Sequence, residues 1–240
     1  MLDLRTFFSY ISTMKDFNIN QRFEFLKDLT SMVVCQVSPS LVLTGEGGLG
    51  KTHSVLTTIG ESILEKSEWC QIKGFSTARG LYNCLYDNNG KLIVFDDCDS
   101  ILEDKVALNI LKSALDSYDT RTITWMSKMS KSDEYPSQFN FTGRVIFISN
   151  KPKSSIDGAI LSRSLVVDLS MTRDEKIERM SYIIEDILPD YPLDVKMDAL
   201  NFLKTRVTDA ITIRSLISVS KIRMTFSTGW EDRATYMICG

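Results

Sequence analysis

A phosphate-binding cradle is predicted by the stretch LVLTGEGGLGKT, which runs from Leu41 to Thr52. Four of the chain's 12 glycines lie between positions 45 and 50, and Lys51 follows them directly. The spacing matches G-x-x-x-x-G-K-[ST] in full, a pattern in which backbone N–H groups converge on a polyphosphate that side chains would otherwise block. The lysine of this pattern reaches the terminal phosphates, and the hydroxyl of Thr52 can bind Mg²⁺.

The residues around the cradle have the pattern of a strand before it and a helix after it. The apolar run SLVLT precedes the glycines, and Val55, Ile59 and Ile63 follow at helical spacing. A helix that starts near Gly50 would turn its positive end toward the same anion. Motif and context favour nucleotide binding over a chance glycine-rich turn. They assign the contacts with ATP to Gly45, Glu46, Gly47, Gly48, Leu49, Gly50, Lys51 and Thr52.

Two carboxylates end another apolar run, Leu92 to Phe95, which is typical of a buried parallel strand. In enzymes with such a cradle, the first carboxylate, Asp96, would hold Mg²⁺ through water. The second, Asp97, would polarise the attacking water. Aspartate is also common in ordinary turns. The position of the pair, about 45 residues after the cradle, favours the catalytic interpretation.

At these residues the chain resembles the AAA+ ATPases, over roughly residues 38 to 223. The resemblance implies an α/β fold, in which a P-loop NTPase parallel sheet is covered by helices and the AAA+ core carries a small C-terminal helical lid. It also implies ATP and Mg²⁺ as cofactors. The family usually has Asp-Glu where this chain has Asp96-Asp97. We therefore expect slow, partner-stimulated hydrolysis rather than a loss of nucleotide binding.

Three further polar residues take predicted catalytic roles from the resemblance. Asn150, at the end of RVIFISN, resembles the sensor that orients water near the γ-phosphate. Arg163 is similar to the arginine that reaches into a neighbouring subunit's site, with Arg144 as a weaker alternative, and Arg214 resembles the second sensor arginine of the lid. The simpler alternatives are a turn-forming asparagine, a solvent-exposed arginine and a structural helix arginine.

The segments on either side of this core read as helices. LRTFFSYI and QRFEFLKDLTSMVV precede it, and three helical patterns follow it, the first with Thr172 and Glu175 at capping-box spacing. We expect an N-terminal helical segment at 1–37, a nucleotide-binding α/β core at 38–170, and a helical lid and tail at 171–240. The tail TGWEDRATYMICG would either pack back or contact a neighbour.

The segment QIKGFSTARG is the first candidate for contact with a substrate. The resemblance implies that a loop here lines the pore of a ring, where Lys73 and Phe75 would grip a polymer. In the alternative, Phe75 is buried in the core and Ser76 or Thr77 caps the following helix.

A β-hairpin is the second candidate, because TRTITWM and FNFTGRVIFISN flank a polar, turn-rich stretch. The arrangement is similar to the hairpin insertion of some AAA+ and superfamily 3 DNA helicases, in which Lys128 and Lys131 would face the phosphate backbone. Acidic neighbours, Asp133 and Glu134, leave a solvated surface hairpin as an equal alternative.

Composition excludes several classes of protein. A net charge of −3 does not indicate a mainly electrostatic DNA binder. No apolar run approaches the roughly 18 residues that span a bilayer, and the N-terminus lacks the pattern of a secretion signal. Five scattered cysteines fit reduced thiols better than a disulfide framework. We expect a cytoplasmic location and no membrane partner.

The stretches LIVFDDCDSIL, LKSALDSYDTRTITW and GRVIFISN also resemble AAA+ proteins of tailed bacteriophages. This resemblance implies the host cytoplasm, if the protein is phage-encoded, and a role in phage DNA metabolism. The leading interpretation is an ATPase that hydrolyses ATP at the subunit interfaces of a homo-oligomeric ring, a hexamer, to move or remodel DNA or a protein–DNA complex. The alternative is a nucleotide-gated assembly or loader scaffold with slow turnover.

Overall fold

The computed structural model describes residues 17–74, 77–116, 118, 120–126, 135–205 and 210–239. Within these ranges the elements follow one another as α1 (Ile19–Val34), β1 (Ser40–Thr44), α2 (Lys51–Gly60), β2 (Trp69–Lys73), α3 (Ala78–Asp87), β3 (Leu92–Asp96), α4 (Ser100–Glu103), α5 (Lys105–Ala114), β4 (Arg121–Thr124), β5 (Gln138–Phe141), β6 (Arg144–Ile148), a 3₁₀ turn (Lys153–Ser155), α6 (Gly158–Leu161), β7 (Leu165–Asp168), α7 (Arg173–Tyr182), α8 (Leu193–Lys204), α9 (Ile213–Thr225) and α10 (Trp230–Cys239).

Five strands form one parallel sheet in the order β2-β3-β6-β1-β7. β1 pairs with β6 on one side and with β7 on the other, and β3 joins β6 to β2. The strands β1, β3 and β6 are buried along their whole length, which explains why they read as apolar runs. The predicted α/β class with a parallel sheet is confirmed.

Alternate strand residues feed two hydrophobic layers, one on each face of the sheet. Val42, Phe95 and Phe147 pack on one face with α3 and α5. Leu43 and Ile146 pack on the other face with α1 and α2. Because side chains alternate along a strand, the packing of these two layers sets the register in which the strands pair. They therefore determine which residues reach its carboxyl edge.

The predicted hairpin is confirmed at its base, where β4 and β5 pair in antiparallel fashion. The buried ring of Tyr82 on α3 lies 5.8 Å from that of Trp125 and 5.3 Å from that of Phe139, measured between centroids. These contacts attach the hairpin to the layer of helices. Lys128 and Lys131 lie outside the described residues.

The four C-terminal helices gather around a hydrophobic cluster of their own, which includes Met180, Leu200 and Leu216. The capping box of Thr172 and Glu175 opens α7 as predicted. The tail, whose position the sequence left open, forms α10 and inserts Trp230 into this cluster. It therefore packs back on the preceding helices.

The first described helix, α1, is tied to the sheet by a buried arginine. Arg144 is 6% exposed, and its Nη1 donates to the carbonyl oxygens of Val34 at 2.6 Å and Val33 at 3.3 Å. Its guanidinium thus satisfies the carbonyl of Val34 at the helix end and shares that of Val33 with the backbone N–H of Gln36. This internal role removes the arginine from the surface, so it does not fit the weaker alternative of an intersubunit residue.

Every helix in the described part of the chain is too short or too polar to cross a bilayer.

Candidate nucleotide-binding site

The glycine-rich loop joins the carboxyl end of β1 to α2, and its glycines are required for two reasons. Gly45, Gly48 and Gly50 have positive φ angles of 133°, 80° and 86°, which other residues rarely adopt. Space is also short. A Cβ at Gly45 would lie 2.9 Å from the carbonyl carbon of Leu169, and one at Gly48 would lie 3.2 Å from the side chain of Thr212.

Lys51 is drawn into this loop as the first residue of α2. Its side chain is 4% exposed, and Nζ donates to the carbonyl oxygens of Gly45 and Glu46, each at 2.6 Å. Nζ also donates to Oδ1 of Asn150 at 2.9 Å. The ammonium group therefore lies at the mouth of the cradle, where a terminal phosphate can replace carbonyl oxygens as its partner.

Burial lowers the pKa of Lys51 from 10.5 to about 8, against the opposing effect of three nearby carboxylates, Asp97, Asp96 and Asp99. Loss of hydration disfavours the charged form of a lysine, and negative neighbours favour it. The balance leaves an ammonium group with a weakened hold on its proton. An added polyphosphate would favour the charged form.

Asp96, the last residue of β3, is 2% exposed, and its carboxylate makes two hydrogen bonds and one salt bridge. The hydroxyl of Thr52 donates to it at 2.8 Å, and the amide of Gln71 donates at 3.0 Å. The structure thus brings together the two residues that were predicted to hold Mg²⁺. A hydroxyl and a carboxylate are oxygen ligands of the kind that Mg²⁺ takes, with phosphates and waters completing its shell.

The third contact of Asp96 is with Lys73, whose Nζ lies 3.1 Å from Oδ2. Lys73 ends β2, and the parallel register of β2 and β3 sets it opposite Asp96. The sequence suggested that this lysine touches a polymer. The structure places it beside the predicted metal ligand, with its side chain 57% exposed.

Asp97 is exposed and lies in the left-handed region, at a φ of 56°. Its carboxylate accepts a hydrogen bond from the side-chain amide of Asn150. Aspartate tolerates this backbone region better than most residues, because its short side chain bonds locally. The local backbone therefore gives a physical reason for Asp rather than the longer Glu at this position.

Sequence reasoning missed Asp99. Its carboxylate accepts from the hydroxyl of Ser149 at 2.6 Å and from the backbone N–H of Asn150 at 3.2 Å. It therefore fixes the turn from which the Asn150 side chain reaches both Lys51 and Asp97. The third carboxylate of FDDCD was visible in the sequence, but its role depends on the pairing of β3 with β6.

A cavity of about 800 Å³ opens from the glycine-rich loop toward α1, α7 and α9. On the side of the loop it is lined by Lys51, Thr52, Asp97, Asn150 and Arg214. The rest of the lining mixes apolar side chains, such as Phe23, Ile183, Ile187 and Ile217, with charged ones, among them Arg179 and Asp186. The volume lies within the usual range for small-molecule sites. A lining with both charged and apolar groups suits a ligand with a phosphate chain and a flat ring.

Arg163 lies away from this cavity. Its Nη1 donates to the carbonyl oxygen of Ala159 at 2.9 Å, and its Nε lies 3.6 Å from Oδ2 of Asp116. The predicted action in a neighbouring subunit stays a prediction.

The loop after β2 is described only in part. Phe75 and Ser76 lie outside the described residues, while the side chain of Thr77 accepts from the N–H of Gly80 at 3.1 Å. Capping of α3 by Thr77, which is one part of the alternative interpretation of this segment, is therefore present.

Comparison with known proteins supports the fold. No protein-family model matches the chain. An uncharacterized 36.7 kDa protein in the nrdC-mobD intergenic region of Enterobacteria phage T4 is 27% identical over 242 residues, which cover 90% of this chain and 73% of that protein.

Among solved structures, the Thermotoga maritima RuvB Holliday junction branch migration motor superposes with a TM-score of 0.53 at 15% identity, over 91% of this chain and 68% of RuvB. The AAA domain of FIGL-1 in complex with ADP gives a TM-score of 0.52 at 13% identity, over 90% of this chain and 80% of that domain. The chain thus has an α/β fold that matches the AAA+ domains of RuvB and FIGL-1.

Proposed function

We propose that this protein is an AAA+ ATPase that binds Mg²⁺-ATP in the cavity beside its glycine-rich loop and hydrolyses the bond between the β- and γ-phosphates, which releases ADP and phosphate. One observation carries the proposal. The glycine cradle, the buried Lys51 and the carboxylates of Asp96 and Asp97 converge at a single edge of the sheet. The likeness to a AAA domain that was solved with ADP supports it.

The residues of the cradle would bind the phosphate chain in three ways. Backbone N–H groups of residues 45 to 50 and the N-terminus of α2 would surround the anion. The ammonium of Lys51 would exchange carbonyl partners for phosphate oxygens. Thr52 and Asp96 would hold Mg²⁺, which neutralises charge as it develops on the phosphoryl oxygens.

Hydrolysis would depend on Asp97 and on the residue that orients it. Asp97 would accept the proton of the attacking water, and Asn150 holds its carboxylate in place. Arg214 lines the same cavity and would contact the γ-phosphate. Arg163 would act on the site of a neighbouring subunit, where a guanidinium stabilises charge in the transition state. Because Asp97 has a shorter reach than Glu, we expect slow turnover that a partner stimulates.

The assembly that we propose is a homo-oligomeric ring, a hexamer, that moves or remodels DNA or a protein–DNA complex in the host cytoplasm during phage DNA metabolism. The fold likeness to RuvB, whose printed description is a branch migration motor, favours a DNA substrate. The relative in phage T4 favours the phage setting. The proposed polymer contacts are Lys73 and Phe75 in the loop after β2, and Lys128 and Lys131 in the hairpin.

A nucleotide-gated scaffold or loader is the second candidate. The position of Asp97 favours it, because a carboxylate with a short reach on a left-handed backbone suits binding and assembly better than fast turnover. Such a protein would assemble with ATP and hydrolyse it slowly, whatever polymer is present.

Two measurements test the proposal. Direct titration with ATP should give saturable binding that Lys51→Ala abolishes, and wild-type protein that binds neither ATP nor ADP would refute it. Phosphate release, measured with single-stranded DNA, double-stranded DNA and RNA, and mass measured with and without ATP then separate the candidates. A motor assembles and responds to its polymer, whereas a scaffold assembles and turns over slowly with all of them.

A further inference from the structure

The glycine-rich loop is flanked by two segments of the C-terminal part of the chain. At one place, Gly45 lies close to the backbone of Leu169, which directly follows β7. At the other, the N–H of Ile213, the first residue of α9, donates to the carbonyl oxygen of Gly48 at 3.2 Å. The loop that would bind phosphate therefore packs between the segment that follows β7 and the first turn of α9.

A salt bridge joins α7 itself to the loop. The Nζ of Lys176 on α7 lies 2.6 Å from Oε2 of Glu46, the second residue of the loop. The two side chains differ in exposure, since Lys176 is 3% exposed and Glu46 is 59% exposed. Lysine is almost never fully buried unless it is paired, so this ammonium is held in place against the loop.

Glu46 places a negative charge in a loop that is proposed to bind a polyanion. A carboxylate beside the cradle repels phosphate, unless a cation neutralises it. The same residue also supplies, through its backbone, a carbonyl oxygen to the Nζ of Lys51. Glu46 therefore interacts with two lysines. Its carboxylate pairs with Lys176, and its backbone carbonyl accepts from Lys51.

We propose that Lys176 is a positioning residue for nucleotide binding, which acts through Glu46. Lys176 neutralises the carboxylate of Glu46 and ties α7 to the loop, so that the loop accepts a polyphosphate although it carries an acidic side chain. This inference rests on the proposed binding of ATP and adds a residue to it that no motif indicates.

The test is a double-mutant cycle on the affinity for ATP. Lys176→Met leaves Glu46 without its neutralising charge, and we expect the Kd for ATP to rise by about fivefold or more, at the lower end of couplings between sites. Glu46→Gln removes the repulsion, so the double variant should return to within about twofold of the wild-type Kd. Because Glu46 is half-exposed, the deficit of Lys176→Met should shrink as salt is raised.

Two controls keep the test decisive. Lys112→Met breaks another salt bridge, the one with Asp157 at 2.9 Å, away from the loop, and should leave the Kd unchanged. Lys176→Gln is measured in parallel, because its polar tip can still donate to Glu46 if the methionine variant fails to fold. The same deficit and the same rescue are expected for it.

Additive effects in the cycle, or a deficit that does not depend on salt, would show a merely structural lysine and overturn the inference. The proposed function fails separately. If wild-type protein binds no ATP, the nucleotide site itself is refuted. If wild type binds ATP, Lys51→Ala does not, and both Lys176 variants match wild type, only the pair of Glu46 and Lys176 is refuted.

Discussion

The side-chain amide of Asn150 donates to the carboxylate of Asp97 while its oxygen accepts from Lys51. One amide therefore links the group that would meet the phosphate to the group that would activate water. An amide with both ends engaged has a fixed orientation. The proposed catalytic carboxylate is thus placed by a residue at the end of a different strand.

Replacing Asp97 separates binding from chemistry. Asp97→Asn keeps the size of the side chain and removes the proton acceptor, so the kcat of ATP hydrolysis should fall by about 100-fold or more, while the Kd for ATP changes little. Phosphate release in single-turnover conditions, together with direct titration of ATP, checks both parts. Hydrolysis at the wild-type rate would show that another group activates the water.

The pKa of Lys51 gives two opposite trends in one pH window. Its folded pKa, about 8, lies below its ordinary value of 10.5 because of burial. Between these values the unfolded chain binds the proton more tightly, so the free energy of unfolding of the nucleotide-free protein should rise with pH, by at most about 3 kcal/mol. Over the same window the affinity for ATP should fall, because the phosphates need the charged lysine.

Denaturant unfolding and ATP titration at a series of pH values from about 7 to about 10 measure these trends. Lys51→Met is the matched control, because it has no titrating group and should lose both of the slopes that Lys51 causes. A wild-type affinity that stays constant through this window would contradict the assignment of the lysine to the phosphates.

The same substitution at two glycines, one crowded and one open, tests whether the glycine-rich loop has room for a side chain. Gly45→Ala forces a Cβ to 2.9 Å from the backbone of Leu169 at a φ of 133° and should destabilise the protein by about 2 kcal/mol. Gly60→Ala, the control, meets nothing within 4 Å at the end of α2 and should be neutral or slightly stabilising. Thermal unfolding of both variants, with and without ATP, measures the difference. Equal changes in stability for the two variants would show that the loop accommodates a Cβ at position 45.

The role of Arg163 across a subunit boundary is tested by mixing two inactive variants. Arg163→Ala and Lys51→Ala should each lower ATPase activity strongly, since charge stabilisation by such an arginine is worth about 10³-fold or more. Mixed assemblies contain interfaces with one intact residue of each kind, so activity should partly return on mixing. A protein that stays monomeric with ATP, or a mixture without any recovery, would discard this role.

The sequence sufficed for the elements that depend on local pattern. The strands β1, β3 and β6 were predicted because complete burial leaves an apolar run, and the helix α2 because its motif fixes its start. The meeting of Thr52 with Asp96 followed as well, since parallel strands end at a common edge.

Contacts that depend on how distant strands and helices pair could not be predicted from the sequence. The ion pair of Lys73 with Asp96, for example, depends on the pairing of β2 with β3, and the proposed contact of Lys73 with a polymer stays a prediction. Arg144 was a weaker candidate for the intersubunit arginine, and its hydrogen bonds to the end of α1 depend on how that helix packs against β6. The first C-terminal helix ends at Tyr182, and Ile184 joins the hydrophobic cluster of these helices from the turn that follows.

The position of β1 in the sheet has a consequence for synthesis of the chain. Leu41 pairs with Ile146 on one side and with Leu165 on the other, so both neighbours of β1 leave the ribosome roughly 100 residues after it. Until then an apolar strand has two open edges, a state that is prone to aggregation. Contacts of such long range also fold slowly. Nascent chains released before β6 should therefore need a chaperone to stay dispersed.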